Sequence, residues 1–97
     1  GQAIARTQEP VREIEIVVDE NGYRPAKIPV DVGERVSLKF VRTQWNGCTR
    51  DVVIPRLHVH RDLPTYTPVV VRLPPLAAGT YEFGCGTRSI HGAIVVG

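Results

Sequence analysis

The sequence predicts an all-β fold, a Greek-key β-sandwich or barrel of about seven short strands. Short apolar runs that alternate with polar residues, or that are rich in β-branched and aromatic side chains, recur along the whole chain. Turn residues separate these runs at the short intervals typical of a two-layer sandwich. No apolar period of 3.6 residues persists beyond one turn, and frequent prolines also discourage helices.

The alternation is clearest in residues 14–18 and 36–41, where apolar side chains occupy every second position. This period of two is typical of a strand with one buried face. Further runs are short and mostly β-branched or aromatic: 52–54, 69–73, 81–83 and 93–96. The turn signals between the runs are Asn21-Gly22, Gly33, Asn46-Gly47, Pro55, Pro74-Pro75 and Gly79.

Length and charge limit what the chain can be. Its 97 residues suffice for one domain, which we place at residues 11–97 after a polar tail or linker at residues 1–10. Twelve basic and ten acidic residues give a net charge of +2, too weak and too scattered to predict a nucleic-acid or membrane-surface partner. No apolar run approaches the roughly 18 residues of a transmembrane helix.

Motifs of catalysis are missing from the sequence. There is no Gly-x-Ser-x-Gly motif, phosphate-binding loop, dinucleotide fingerprint or zinc-protease motif. Cys85 and His91 are a conceivable nucleophile and base, but nothing identifies an oxyanion hole or a substrate cleft. Glu34, Asp51 and Glu82 are spaced like ordinary strand or turn residues. We therefore predict a binding protein rather than an enzyme.

Three stretches of the chain resemble the cupredoxin-like family of small copper proteins. Residues 21–38 are similar to the family's opening pattern, aromatic-x-Pro-x-x-Ile, x-Val, x-x-Gly-Glu-x-Val-x-Leu. Residues 47–55 form the second stretch. Residues 76–96 hold a glycine turn, Tyr-x-Phe-x-Cys, a short loop and a final valine-rich strand. The resemblance implies a copper-binding β-sandwich in an extracytoplasmic location, as a periplasmic or membrane-tethered soluble domain.

The resemblance also implies where metal ligands lie. In a blue-copper cupredoxin, a histidine precedes the strand matching residues 52–54, a cysteine closes the penultimate strand, and the next loop supplies a second histidine and usually a methionine. Cys85 matches that cysteine, but Cys48 and Arg50 lie around the first histidine position. The loop after Cys85 contains His91, and the chain has no methionine.

A bacterial cupredoxin-like subfamily is a closer match, because it has a cysteine at the position of Cys48. Its second cysteine begins a Cys-Gly-Met-x-Met-type loop, and Thr87 and Ser89 replace those methionines here. The resemblance therefore implies that Cys48 and Cys85 lie close together in the fold, while the thioether ligands are lost.

Two thiolates and one imidazole are good ligands for Cu(I), and also for zinc. We therefore predict a copper-handling protein that holds Cu(I) through Cys48 and Cys85, with His91 as a further ligand, for storage, delivery or sensing. Its expected partners are the metal ion and a copper transporter or redox partner protein.

Two other functions remain open at this stage. A Cys48–Cys85 disulfide would make the domain a structural or interaction module on a degenerate cupredoxin scaffold. A blue-copper electron carrier needs one thiolate, two imidazoles and a weak axial ligand, a set that the sequence does not supply near Cys85.

Other residues have both a functional and an ordinary interpretation. In an extended strand, His58 and His60 would share one face and could chelate a divalent metal ion, or they would simply form an exposed polar face. Arg50 and Arg88 would favour thiolates if they flank the cysteines, and otherwise they are solvated side chains. Trp45 is either an apolar lid over the site or a core residue.

Overall fold

A computed structural model describes residues 11–44, 47–86 and 89–97, and the predicted tail at residues 1–10 lies outside this part. The described residues form an all-β structure, as predicted. Its nine strands are β1 (Arg12–Asp19), β2 (Gly22–Arg24), β3 (Lys27–Val30), β4 (Val36–Arg42), β5 (Asp51–Ile54), β6 (Val59–Asp62), β7 (Val69–Leu73), β8 (Gly79–Gly84) and β9 (His91–Val96). Short 3₁₀ helices cover Gly47–Arg50, here called the Cys48 turn, and Pro55–Leu57.

The strands form two sheets that pack as a sandwich. One has the order β2-β1-β4-β7 and the other β3-β9-β8-β5-β6. The pairs β1–β4 and β3–β9 are parallel, and the other strand pairs are antiparallel. The predicted sandwich is thus confirmed, with nine strands described instead of about seven. The extra strands have only three or four residues, too few for a readable alternation.

The core lies between the sheets, on the predicted faces of the alternating strands. Ile16, Val18, Leu38 and Phe40 are fully buried. The rings of Tyr23 and Phe40 in one sheet contact that of Phe83 in the other edge to face, with centroids 4.8 Å and 5.9 Å from Phe83. Such ring pairs contribute about 0.5–1.5 kcal/mol beyond area burial. They fix β8 against the first sheet two residues before Cys85.

The Phe83 ring leaves no space for a side chain at its cross-strand partner, Gly92. A Cβ at Gly92 would lie 2.3 Å from Phe83 Cζ and 2.8 Å from the carbonyl oxygen of Ala26. Both distances are below van der Waals contact, and the carbonyl belongs to the backbone. Glycine at position 92 is therefore required for the packing of β8 on β9.

We expect Gly92→Ala to lower the free energy of unfolding by about 2–3 kcal/mol, because the methyl group overpacks the core. Urea denaturation of the two proteins measures the difference. Gly97→Ala is the matched control, since no atom lies within 4 Å of the corresponding Cβ. Equal stability of the Gly92 and Gly97 variants would contradict the close approach.

The turn between β1 and β2 is stabilised by the carboxylate of Asp19. It accepts hydrogen bonds from the Arg24 guanidinium and, at 2.8 Å, from the backbone N–H of Asn21. The hydrogen bond from Arg24, and after it that from Asn21, lowers the pKa of Asp19 below its usual 3.8. The charged form of Asp19 thus stabilises the folded state.

The pKa of Asp19 is lower in the folded state than in the unfolded state. Its contribution to the free energy of unfolding is therefore fully present at pH values above the unfolded-state pKa, and it is lost as the pH falls through the lower, folded-state pKa. We expect Asp19→Asn to remove this part of the acid dependence, measured by urea denaturation between about pH 5 and pH 2. Asp31→Asn is the control, since the exposed Asp31 carboxylate makes no hydrogen bond within the described residues. An unchanged pH profile in the Asp19 variant would refute this role.

Candidate metal centre

Cys85 directly follows β8 and continues its inward-facing series. Tyr81, Phe83 and Cys85 are all buried, and Cys85 is 2% exposed. The end of β8 lies between two other strands, because Gly84 is paired with Val53 of β5 and with His91 of β9. The predicted cysteine thus lies on the core side of the second sheet, at the point where three strands meet.

Cys85 and His91 line a common cleft of about 320 Å³ at this end of the sheet. Its other lining residues are Val53, Pro55, Glu82, Phe83, Gly84 and Gly86. Directly paired residues of antiparallel strands point to the same side, so His91 lies on the outer face with Gly84. Cys85 therefore approaches the cleft from the buried side and His91 from the exposed side.

Cys48 lies in the Cys48 turn, immediately before β5, and its side chain is outside the described residues. The grouping of Cys48 with Cys85 and His91 therefore stays a prediction. Within residues 11–44, 47–86 and 89–97, no three His, Cys, Asp or Glu side chains form a group that could hold a metal ion. Trp45, Thr87 and Arg88 also lie outside the described residues.

Asp51 connects the loop after Cys85 to the edge of the sheet. Its carboxylate accepts a hydrogen bond from the backbone N–H of Gly86 at 3.0 Å, and its other oxygen lies 2.9 Å from Nε2 of His60. Asp51 begins β5 directly after the Cys48 turn, so one carboxylate links the two cysteine-bearing segments. Sequence spacing did not identify this role, because Asp51 and Gly86 are 35 residues apart.

Arg42, at the end of β4, holds the Cys48 turn from the other sheet. Only 6% of Arg42 is exposed. Its Nε donates to the hydroxyl of Thr49 at 2.8 Å, and Nη1 donates to the carbonyl oxygen of Leu63 at 3.0 Å. The sequence analysis missed Arg42, because an arginine at a strand end is usually exposed.

A second cleft, of about 460 Å³, adjoins the first at Gly86. It is lined by Arg42, Arg50, Asp51, His60, Asp62, Leu63, Pro64 and Gly86. The exposed Arg50 lines this cleft and not the cleft of Cys85, so its effect on the thiols stays a prediction. Charged groups of both signs surround this cleft, in contrast to the cleft that Cys85 lines.

The proposed strand pair of His58 and His60 is not present. His58 has the left-handed backbone angles φ 55° and ψ 38° and ends the 3₁₀ helix that begins at Pro55. Strand β6 starts one residue later, at Val59, so the two histidines do not alternate along one strand. His60 faces Asp51 instead. The prolyl turn before β6 is the physical reason for the difference.

The described all-β architecture is shared by a known family. The family profile described as "Cupredoxin-like domain" matches residues 2–96. The chain belongs to the cupredoxin-like domain family. No curated protein matches the chain. The cupredoxin-like membership confirms the resemblance seen in the sequence.

Solved structures share this cupredoxin-like fold. The metal-binding domain of the Cu(I)-exporting P-type ATPase CopA of Streptococcus pneumoniae, with Cu(I), has a TM-score of 0.84 at 24% identity, with 93% of this chain and 89% of that one covered. A copper-binding protein in its apo form has a TM-score of 0.82 at 30% identity, with 93% and 91% covered. Dithionite-reduced auracyanin from Roseiflexus castenholzii has a TM-score of 0.70 at 18% identity, with 88% and 96% covered.

In the part of the chain that the structure describes, no helix has the length and apolar character needed to cross a bilayer.

We expect Asp51→Ala to loosen the loop after Cys85, because the Gly86 N–H loses a charged acceptor. A hydrogen bond to a charged group contributes about 1.5–3 kcal/mol, less where it is exposed as here. Amide hydrogen exchange should show faster exchange at Gly86 than in the unaltered protein. Asp62→Ala is the control, because Asp62 is the cross-strand partner of Asp51 but does not bond to Gly86. Equal exchange at Gly86 in both variants would contradict the link.

Proposed function

We propose that this cupredoxin-like protein handles copper by binding Cu(I) through the thiolates of Cys48 and Cys85, with His91 as a third ligand. The observation that carries the proposal is the position of Cys85, buried at the end of β8 in a cleft that His91 also lines. The Asp51–Gly86 hydrogen bond supports it, because it joins the loop after Cys85 to the strand that follows the Cys48 turn.

The histidine positions favour Cu(I) over a blue-copper centre. All three histidines of the chain are described, and His91 alone lines the cleft of Cys85. His60 and His91 are the two ends of a row of four directly paired residues that crosses the sheet. Val53 and Gly84 lie between them. Their backbones are therefore about 14 Å apart, three interstrand spacings. Two imidazoles at that separation do not share an ion, whereas two soft thiolates suffice for Cu(I).

Relatives of similar structure support copper as the ligand. The S. pneumoniae domain is described with Cu(I), and the protein at 30% identity is described as copper-binding. We propose storage, delivery or sensing of Cu(I) as the role, a copper transporter or redox protein as the partner, and an extracytoplasmic location. Fractionation of cells that produce the tagged protein tests the location, and recovery in the cytoplasm would refute it.

Because His91 is exposed and Cys85 is buried, we expect the proposed ligands to contribute unequally to the metal affinity. Cys85 is shielded from solvent, whereas His91 lies on the outer face and competes with water for the metal ion. The two thiolates therefore supply most of the affinity, and the imidazole completes a three-coordinate site.

We expect the reduced protein to take one Cu(I) from a chromophoric chelator under anaerobic conditions. Cys48→Ser and Cys85→Ser should each weaken binding by about a hundredfold or more, since an alcohol replaces a soft thiolate. His91→Ala should weaken it by about tenfold, a smaller loss because the imidazole is exposed. Equilibrium competition titration measures all of these affinities.

His60→Ala is the matched histidine control and should leave the Cu(I) affinity within about twofold, because His60 is three strand spacings from His91. Failure of the reduced protein to compete for Cu(I), or full binding by either serine variant, would refute the proposal. A count of thiols under denaturing, non-reducing conditions tests the disulfide alternative, which predicts none. An intense visible absorption with Cu(II) would instead indicate a blue-copper centre.

A further inference from the structure

Arg42 is a buried cation that forms no ion pair with a carboxylate of the described residues. It is 6% exposed, yet two of its acceptors, the Thr49 hydroxyl and the Leu63 carbonyl, are neutral. The third nitrogen, Nη2, is buried and has no hydrogen-bond partner among the described residues. Buried arginines are normally paired with an anion, because removing the charge from water is costly. Within residues 11–44, 47–86 and 89–97, Arg42 therefore has no anion paired with its buried charge.

The carboxylates of the described residues do not supply this anion. The chain has ten Asp and Glu residues, and all except Glu9 belong to the described residues. The ion pairs of the described residues are Arg12–Glu34, Arg24–Asp19, Lys39–Glu15 and His60–Asp51, none of which includes Arg42. An anion of another kind, such as a metal–thiolate complex, would compensate the charge of Arg42.

The guanidinium contacts one cysteine-bearing segment and lines a cleft that extends to the other. Its Nε bonds to Thr49, the residue that follows Cys48 in the Cys48 turn. Arg42 also lines the cleft that includes Gly86, the residue that follows Cys85. A negative charge on a metal ion bound by both cysteines would thus form in the neighbourhood of a guanidinium that has no ion-pair partner among the described residues.

We propose that Arg42 is the counter-charge of the metal site and selects a monovalent over a divalent ion. This inference rests on the proposed function. When Cu(I) binds two neutral thiols, two protons are released and the complex carries one negative charge. When a divalent ion binds the same two thiols, two protons are also released but the complex is neutral. A fixed positive charge therefore stabilises the Cu(I) complex and has little net effect on the divalent complex.

The other charged groups of this cleft are Arg50, Asp51, His60 and Asp62. All four are more exposed to solvent than Arg42, and Asp51 is engaged by Gly86 and His60. Water screens such groups, whereas the charge of a buried guanidinium acts through a medium of lower dielectric. Arg42 is therefore the charged side chain of this set with the strongest expected influence.

The test compares Cu(I) with Hg(II), a divalent ion that also binds two thiolates. Cu(I) affinity is measured against a chromophoric chelator and Hg(II) affinity against a small dithiol. Arg42→Gln, which removes the charge but keeps N–H donors, should lower the Cu(I) affinity by about tenfold to a hundredfold and change the Hg(II) affinity by less than about threefold. The ratio of the Cu(I) affinity to the Hg(II) affinity is the quantity compared. In Arg42→Lys, which keeps the charge, this ratio should stay close to that of the unaltered protein.

Two controls separate charge from structure. Thr49→Val removes the acceptor of Nε without changing charge, and should leave the ratio unchanged. Arg50→Gln makes the same charge change at an exposed position of the same cleft and should shift the ratio by less than about threefold. Poor folding weakens the binding of both metal ions together, so the affinity ratio remains informative for a destabilised variant. Arg42→Met provides a second neutral side chain at this position.

Equal losses for Cu(I) and Hg(II) in Arg42→Gln and Arg42→Met would overturn the inference while leaving the proposed function intact. The inference would also be overturned if the ratio of Cu(I) to Hg(II) affinity in Arg42→Lys were as low as in Arg42→Gln. If the unaltered protein binds no Cu(I), or binds it without either cysteine, the proposed function fails and this inference fails with it.

Discussion

The position of β8 between β5 and β9 is the constraint on which the candidate site depends. Gly84 is paired on one side with Val53 and on the other with His91. This places Cys85 at the end of the central strand, His91 on one neighbour and the Cys48 turn before the other. A Cβ at Gly84 would lie 2.6 Å from the carbonyl oxygen of Ile90. Glycine there permits the close approach of the chain that enters β9, and leaves the cleft open.

The apolar core and the candidate site meet at the same residues. Phe83 packs against Tyr23 and Phe40 across the sandwich and covers Gly92, while Cys85 continues the same inward series. The thiol is thereby held in a dry environment, where an isolated thiolate is unfavourable. A bound metal ion, a nearby positive charge or a hydrogen bond would stabilise it. Arg42 reaches the Cys48 turn from the facing sheet through its hydrogen bond to Thr49.

Strand periodicity was sufficient to predict the sandwich, because residues 14–18 and 36–41 carry one apolar face each and β1 and β4 form accordingly. The position of Cys85 followed from the pattern Tyr-x-Phe-x-Cys. The roles of Asp51 and Arg42 did not follow, because their partners Gly86 and Leu63 are 35 and 21 residues away. Such contacts depend on which strands become neighbours. Periodicity within one strand contains no information about that choice.

His60 and His91 lie on the opposite face of the second sheet from Cys85. Histidines occupy the outer face, where His60 and His91 lie at opposite ends of a row of four residues, too far apart to share an ion. Cys85 occupies the inner face and is only 2% exposed. A site built from the inner face therefore has few hard ligands and a low dielectric constant. Those conditions favour a soft ion of low charge, which is why the geometry supports Cu(I) over a surface imidazole site or a blue-copper centre.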